Sequence, residues 1–226
     1  MKQPVPVIAI DGPSGSGKGT IAHRVAKALG WHLLDSGALY RLVALSAGKA
    51  DIPLEDAEGL AGIARALDVK FDSYDDGSER IWLGSEDVTD QVRTEATGAG
   101  ASAVAAIPAV REALLARQRA FQQPPGLVAD GRDMGTNVFV DAQLKIYLTA
   151  SAEERARRRH KQLKDKGMDV SLAALSRDIE HRDRRDSERS VAPLRPAEDA
   201  RILDSSGQSI EAVTQTVLDW ASELWF

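Results

Sequence analysis

Cysteine is absent from the 226 residues, which removes disulfides, thiolate nucleophiles and cysteine-ligated zinc and agrees with a reducing compartment. Asparagine occurs once, at Asn137, so the Asn-Lys-x-Asp motif with which GTPases read guanine has no place to form. His-Arg-Asp is nowhere paired with Asp-Phe-Gly, which excludes the protein-kinase arrangement. The four histidines, His23, His32, His160 and His181, stand apart, and none sits beside a nucleophile as a base; all four read as structural or surface residues. Long apolar runs are missing too. The opening MKQPVPVIAI is too short for a signal peptide or a span, and nothing later approaches about 18 continuous apolar residues, so a soluble, cytoplasmic chain is expected. No repeat or low-complexity tract appears, and 43% hydrophobic with 28% charged residues describes an ordinary core, large enough to carry a smaller inserted lobe. Positive charge is scarce except in one place. The net charge is -5, yet residues 153–189 hold 12 Lys and Arg against 9 Asp and Glu. An acidic chain with one arginine cluster suits an enzyme that meets a small anion locally better than a nucleic-acid or membrane binder.

What the chain does contain is organised around residues 12–20, GPSGSGKGT. Gly12, Gly15 and Gly17 permit backbone conformations closed to residues with a Cβ, so that successive N–H groups converge on phosphate oxygens, and Lys18 adds a point charge. The apolar run 6–10 before it reads as a buried strand. The following KGTIAHRVAKAL places Ile21, Val25 and Leu29 on one helical face, so the context is strand, loop, helix. The generic pattern wants Ser or Thr after the lysine; here Gly19 intervenes before Thr20.

Taken in order, Gly30 caps the first helix, 31–35 is a strand, and ALYRLVALSAG makes a second helix. Asp35, Ser36 and Gly37 thereby lie at a strand's carboxyl end, with Tyr40 and Arg41 one turn on. Residues 50–68 look helical. The period then becomes strand-like, with 69–72 and 80–83 joined by a DDG turn as a hairpin, and 62–95 is read as a small inserted lobe. Residues 96–106 are rich in Ala, Gly and Ser, with Ser102 the main polar exception. Pro108 starts a helix with Val110, Leu114 and Phe121 as its buried stripe and Arg111 off that stripe. The strand 127–130 ends at Asp130, where a carboxylate on the metal side of a phosphate-loop enzyme is expected, followed by Arg132 and Asp133; an ordinary turn with an internal ion pair is the competing reading. A fourth strand covers 144–150. The helix after it opens with a capping box, Ser151 to Glu154, and carries Arg155, Arg157, Arg158, Arg159, Lys161 and Lys164, which read either as a solvated face or as groups drawn together by an anion. The next helix places Arg182, Asp186 and Arg189 on one face, either a structural ion network or a site in which the Asp accepts ribose hydroxyls and the arginines clamp phosphate. A last strand, 201–204, precedes a terminal helix whose buried stripe is read as Ile210, Val213, Val217, Trp220 and Leu224.

Five parallel-type strands alternating with helices predict an α/β fold of the P-loop NTPase type, a three-layer sandwich around a five-stranded parallel sheet with a small β-containing lobe inserted. GPSGSGKGT, HLLDSGALYR, VREALLARQRAF, LVADGRDMGT and RDRRDSERSVAPL together resemble the bacterial cytidylate kinases, over nearly the whole chain, and the Gly19 departure is shared with the wider nucleoside monophosphate kinase superfamily. The resemblance implies one kinase unit, with core 1–61 and 96–226, the NMP-binding lobe at 62–95 and a mobile Arg-rich lid at about 153–166. It implies ATP-dependent, Mg2+-assisted phosphorylation of CMP and dCMP in pyrimidine nucleotide metabolism. ATP would lie on Gly12, Pro13, Ser14, Gly15, Ser16, Gly17, Lys18, Gly19 and Thr20. Ser36, Gly37, Tyr40, Arg41, Ser102, Arg111, Arg132, Asp133, Arg182, Asp186 and Arg189 would form the monophosphate pocket, and Lys18, Arg132, Arg158 and Asp130 would be catalytic. No direct metal ligand is assigned; Thr20 and Asp130 are the candidates, through water. The expected partners are small nucleotides, without nucleic acid, membrane or obligate protein partner, in a monomer. A kinase of another monophosphate such as UMP or AMP, and a non-catalytic ATP-binding interaction protein, are the alternatives.

Overall fold

In the computed structural model, which describes residues 4–73, 79–165 and 167–225, the apolar run after Pro6 becomes strand β1 (Val7–Asp11), buried at all five positions. On one side it pairs with β6 (Leu127–Gly131) and on the other with β7 (Leu144–Thr149). Outside these lie β2 (His32–Asp35), against β6, and β8 (Arg201–Asp204), against β7. Every pairing is parallel. β6 is buried throughout as well, so both faces of the sheet's centre are covered, which is why these strands are continuous apolar runs and not alternating ones. One face carries helices α1 (Lys18–Leu29) and α9 (Ile210–Trp225), whose Ile21, Val25, Val213 and Val217 pack with Ile8, Val128, Ile146 and Leu148 of the strands. Flanking helices on a five-stranded parallel sheet, with the glycine-rich loop after the first strand, are the architecture expected from the sequence.

The chain leaves β1 for β2, returns to β6 beside β1, and then crosses to β7 on the opposite side. That reversal opens a crevice at the carboxyl ends next to β1, where ligands of such sheets bind. Three carboxylates stand there. Asp11 ends β1, and Asp35 of β2 lies opposite Asp130 of β6.

Residues Ser36–Gln118 gather into a second compact unit, distinct from the one made by the chain up to Asp35 and from Arg119 onward. It contains α2 (Ser36–Lys49), α3 (Ala57–Ala66), an antiparallel sheet of β3 (Val69–Ser73), β4 (Glu79–Leu83) and β5 (Glu86–Asp87), then α4 (Thr89–Val92), α5 (Glu95–Val104) and α6 (Pro108–Arg119). The predicted hairpin is β3 with β4, Asp72 opposite Arg80; its turn at 75–77 lies outside the described residues. Within this unit α2 packs along α5 and against α3 and α4, and α4 packs on β4.

Several elements differ from the sequence reading. The helix expected over 50–68 begins only at Ala57, after Pro53, where Asp56 accepts from Gly59 N at 2.9 Å as its N-cap. The Ala/Gly/Ser stretch is a helix, α5, whose small residues allow close approach to α2: a Cβ on Gly100 would sit 3.1 Å from Ala44 Cβ. Phe121 lies beyond the end of α6 and is half-buried, and Gln118 occupies the buried place instead. In α9 the buried stripe is Val213, Val217 and Ala221, whereas Ile210 and Leu224 are exposed. The capping box on α7 (Ala152–Asp165) forms by half. Ser151 Oγ accepts from Glu154 N, but the Ser151 N–H goes to Ser206 Oγ and the Glu154 carboxylate to Arg158. Helix α8 (Leu172–Glu188), capped by Ser171, stops before Arg189. Among the described residues no single helix is long and apolar enough to cross a membrane.

Candidate functional site

Between β1 and α1 the backbone takes left-handed values at Gly15 (φ 78°) and Gly17 (φ 92°), conformations that Ala or Ser would hold only under strain. Gly12 is required for space: a Cβ there would run into the Leu148 carbonyl oxygen. Gly17 N-caps α1 without a side-chain cap, so the first-turn N–H groups and the positive end of the helix dipole face the loop, as in an anion site. Lys18 is buried at the start of α1, its Nζ 3.1 Å from Pro13 O. Burial pushes its ammonium below the usual lysine range, with Arg132 adding to the shift and Asp130 and Asp35 opposing it; Arg182 also lowers it. Ser14 is half-buried, Ser16 fully buried, and Gly19 and Thr20 are exposed.

Asp130 is held up by burial, against the pull of Lys18, and its Oδ1 is buried with no hydrogen-bond partner among the described residues. A Cβ on Gly19 would lie 3.1 Å from Asp130 Oδ2, so the glycine leaves the carboxylate its place beside α1. No cluster of three or more His, Asp or Glu forms a metal cage among the described residues. An orphaned carboxylate oxygen next to a phosphate cradle fits a magnesium ion held mainly by phosphate oxygens and water. The third strand-end carboxylate is structural: Asp11 accepts from Met134 N and Gly135 N, each at 2.8 Å, and so pins the DMG turn after β6. Burial pushes Asp11 up to about 6 in spite of those two donors.

In the turn itself Arg132 donates from Nε to Asp186 Oδ2 at 3.0 Å, and Asp186 is 5% exposed. The competing reading placed an ion pair inside the turn; the pair that Arg132 makes joins the turn to α8 instead. Asp133, also buried, accepts from Asn137 Nδ2 at 3.2 Å. Arg182 lies one turn before Asp186 on α8. Arg189 is the C-cap residue of α8, with φ -62°; beyond it Ala192 turns through φ 48°, and Arg189 Nε bonds to Ala192 O.

The arginine run on α7 divides. Arg157 and Arg159 meet Glu153 and Gln162 of their own helix at its surface. Arg155 and Arg158 reach the phosphate loop, donating to Ser14 O at 3.1 Å and Ser16 O at 3.3 Å. Two partners in this arrangement were not singled out in the sequence, although Asp183 lies within RDRRDSERSVAPL. Asp183 of α8 takes Arg155 at 2.9 and 2.5 Å, and Ser205 bonds Arg158, Ser16 O and Thr149 O. Ser205 follows a strand, which was the one available signal.

Within the second unit, Ser36 is buried at the start of α2 and donates to Gln118 Oε1 at 2.7 Å, with Gly37 half-buried next to it. Arg41 donates to Val92 O and Thr94 O, and its guanidinium lies where a Cβ on Gly98 would sit 3.0 Å away. Ser102 bonds Gly98 O, and Arg111 bonds Ala105 O while its guanidinium stands 5.8 Å over the Tyr40 ring. Tyr40, Arg41, Ser102 and Arg111 are thus brought together around α2 and α5.

The model of the family described as cytidylate kinase matches residues 8–223. Curated relatives named cytidylate kinase are 62% identical in Pseudomonas paraeruginosa (strain DSM 24068 / PA7) and 61% identical in Pseudomonas aeruginosa (strain UCBPP-PA14), each over 219 residues that cover 96% of this chain and 96% of the relative. Another, from Cupriavidus pinatubonensis, is 56% identical over 216 residues, with 96% of both chains covered. Among solved structures, a gluconokinase from Sinorhizobium meliloti 1021 superposes with a TM-score of 0.49 at 15% identity, covering 99% of this chain and 95% of that one. A family model matching residues 8–223 and curated relatives up to 62% identical over 96% of both chains, on a chain whose phosphate loop sits at the reversal point of a parallel sheet, mean that the protein belongs to the cytidylate kinase family.

Proposed function

We propose that the protein transfers the terminal phosphoryl group of ATP to CMP and dCMP, releasing ADP with CDP or dCDP. The observation that carries this reading is the loop of residues 12–20, its backbone turned by Gly15 and Gly17, its Lys18 buried at the start of α1 and the Asp130 carboxylate beside Gly19. In the reaction a phosphate oxygen of CMP forms the new bond to phosphorus and the bond to the ADP oxygen breaks. The acceptor is already an anion, so no general base is needed. What it needs is positive charge to bring two anions together, and Lys18 and Arg132 supply it, while Arg158, bonded to Ser16 O, acts from behind the loop. Magnesium, reached by Asp130 and Thr20 through water, would neutralise charge on the ATP phosphates.

For the acceptor, Asp133 and Ser102 accept from the cytosine exocyclic amine and Arg111 donates to the ring's acceptors. Asp186, steadied by Arg132, takes the sugar hydroxyls, and Arg41, Arg182 and Arg189 clamp the phosphate. Ser36, Gly37 and Tyr40 complete the pocket, with 62–95 as the NMP-binding lobe and 153–166 as the lid. Uracil reverses two of the base's hydrogen-bonding positions, and leaving buried polar groups unpaired costs on the order of a hundredfold in discrimination. An ADP-release assay across CMP, dCMP, AMP, GMP and UMP tests the reading. Turnover concentrated on the two cytosine nucleotides is expected, with Asp133→Ala losing it selectively while ATP binding persists; a preference for UMP or AMP would overturn the base assignment.

A further inference from the structure

A trans peptide unit points its N–H and its preceding C=O in opposite directions. A loop that aims the Gly15 and Gly17 N–H groups at a phosphate must therefore aim the Ser14 and Ser16 carbonyls away from it, and those carbonyls need donors behind the loop. Both have them. Ser16 O receives Ser205 Oγ at 3.0 Å and Arg158 Nη1 at 3.3 Å; Ser14 O receives Arg155 Nη1 at 3.1 Å.

Arg155 is placed for this and for little else. It is 4% exposed, its Nε is bound to Ala150 O at 3.0 Å, and its Cβ would stand 3.3 Å from a Cβ on Gly15. A buried guanidinium requires a counter-charge, and Asp183 provides it in a fork, Oδ1 to Nη1 at 2.9 Å and Oδ2 to Nη2 at 2.5 Å. The fork fixes the rotation of the guanidinium plane, leaving one Nη1 hydrogen directed at Ser14 O. We infer that Asp183 is a positioning residue for the nucleotide: through Arg155 it holds the Ser14–Gly15 peptide in the orientation that presents the Gly15 N–H to phosphate. Arg155 on this view serves from behind the loop and is not itself a phosphate ligand. A carboxylate on α8 thereby sets the donor site, while Asp186 of the same helix meets Arg132 three residues further on. The inference rests on the reading of residues 12–20 as the ATP site.

The test is a double-mutant cycle read by equilibrium affinity for ATP and, separately, for CMP, with KM for each substrate and kcat. Asp183→Asn is expected to weaken ATP about tenfold and to leave CMP within twofold. Asp183→Glu, which keeps the charge, should restore ATP affinity to within about threefold of the parent. Arg155→Met should weaken ATP at least as much as Asp183→Asn, and the double variant should be no weaker than Arg155→Met alone, since Asp183 acts only through Arg155. Equal losses for ATP and CMP, additive losses in the double variant, or tighter ATP binding by Asp183→Asn would overturn the inference. If Asp183→Asn does not fold, Arg155→Lys decides the matter: it keeps the charge but not the fork, and ATP affinity within twofold of the parent would be fatal. Failure of the unaltered protein to bind ATP would sink the functional reading itself; intact ATP binding with an indifferent Asp183→Asn sinks only the role of Asp183.

Discussion

Gly19 occupies the position after the lysine where a generic phosphate loop carries Ser or Thr, and the structure supplies the reason: a side chain there would press on Asp130, whose carboxylate needs that space. The motif was legible from residue types alone, because glycine's steric freedom and lysine's charge act locally. The strand-end carboxylates were legible only in part. Asp130 was expected at the metal side, but nothing in the sequence separates it from Asp11, which is committed to the Met134 and Gly135 amides. Asp11 also makes a pH prediction. Its native value of about 6 lies above the unfolded 3.8, so its contribution to stability is fully present at acid pH and is lost as pH rises through 6. Between pH 4.5 and 7.5 the loss is about 2 kcal/mol. Paired denaturant titrations of the parent and Asp11→Asn should show the variant gaining by about that much on going to the higher pH; a pH-independent difference would contradict it.

At the scale of elements, hydrophobic period located the five strands and most helices, since burial of a strand or stripe is written in its own residues. It failed where the answer depends on a neighbour. The Ala/Gly/Ser stretch, to which the sequence reading assigned no element, is α5, and its glycines leave room for Arg41 and Ala44 of α2. In α9 the sequence allows several faces at helical spacing; the one buried is that of Val213, Val217 and Ala221, because α1 and the sheet lie on that side. Val217→Ala should accordingly cost about 1–3 kcal/mol in unfolding free energy, and Ile210→Ala, 44% exposed, less than about 0.5 kcal/mol. Comparable losses at both positions would put the helix on the other face. The arginine run on α7 teaches the same lesson. Four side chains that repel on paper are sorted by partners on other elements, two outward to their own helix and two to Ser14 and Ser16 carbonyls.

For the whole molecule, a ligand that binds only the folded state stabilises it by mass action. At ATP concentrations about 100 times its dissociation constant the gain is about 2.7 kcal/mol, and the melting temperature should rise by several degrees. Lys18→Met, which removes the buried ammonium, should largely abolish that rise; an equal rise in the variant would mean that nucleotide stabilises the fold without using the loop. The amino-acid sequence by itself determined the donor loop, the parallel α/β class and the family resemblance, because glycine conformation, lysine charge and strand periodicity are properties of short segments. Only the tertiary structure decided which groups meet: Arg132 with Asp186, Arg155 with Asp183, Ser205 with Ser16 O, and Arg189 with Ala192 O. The physical reason is that an ion pair between residues 28 or 54 positions apart depends on how helices and turns pack, and no local pattern records it.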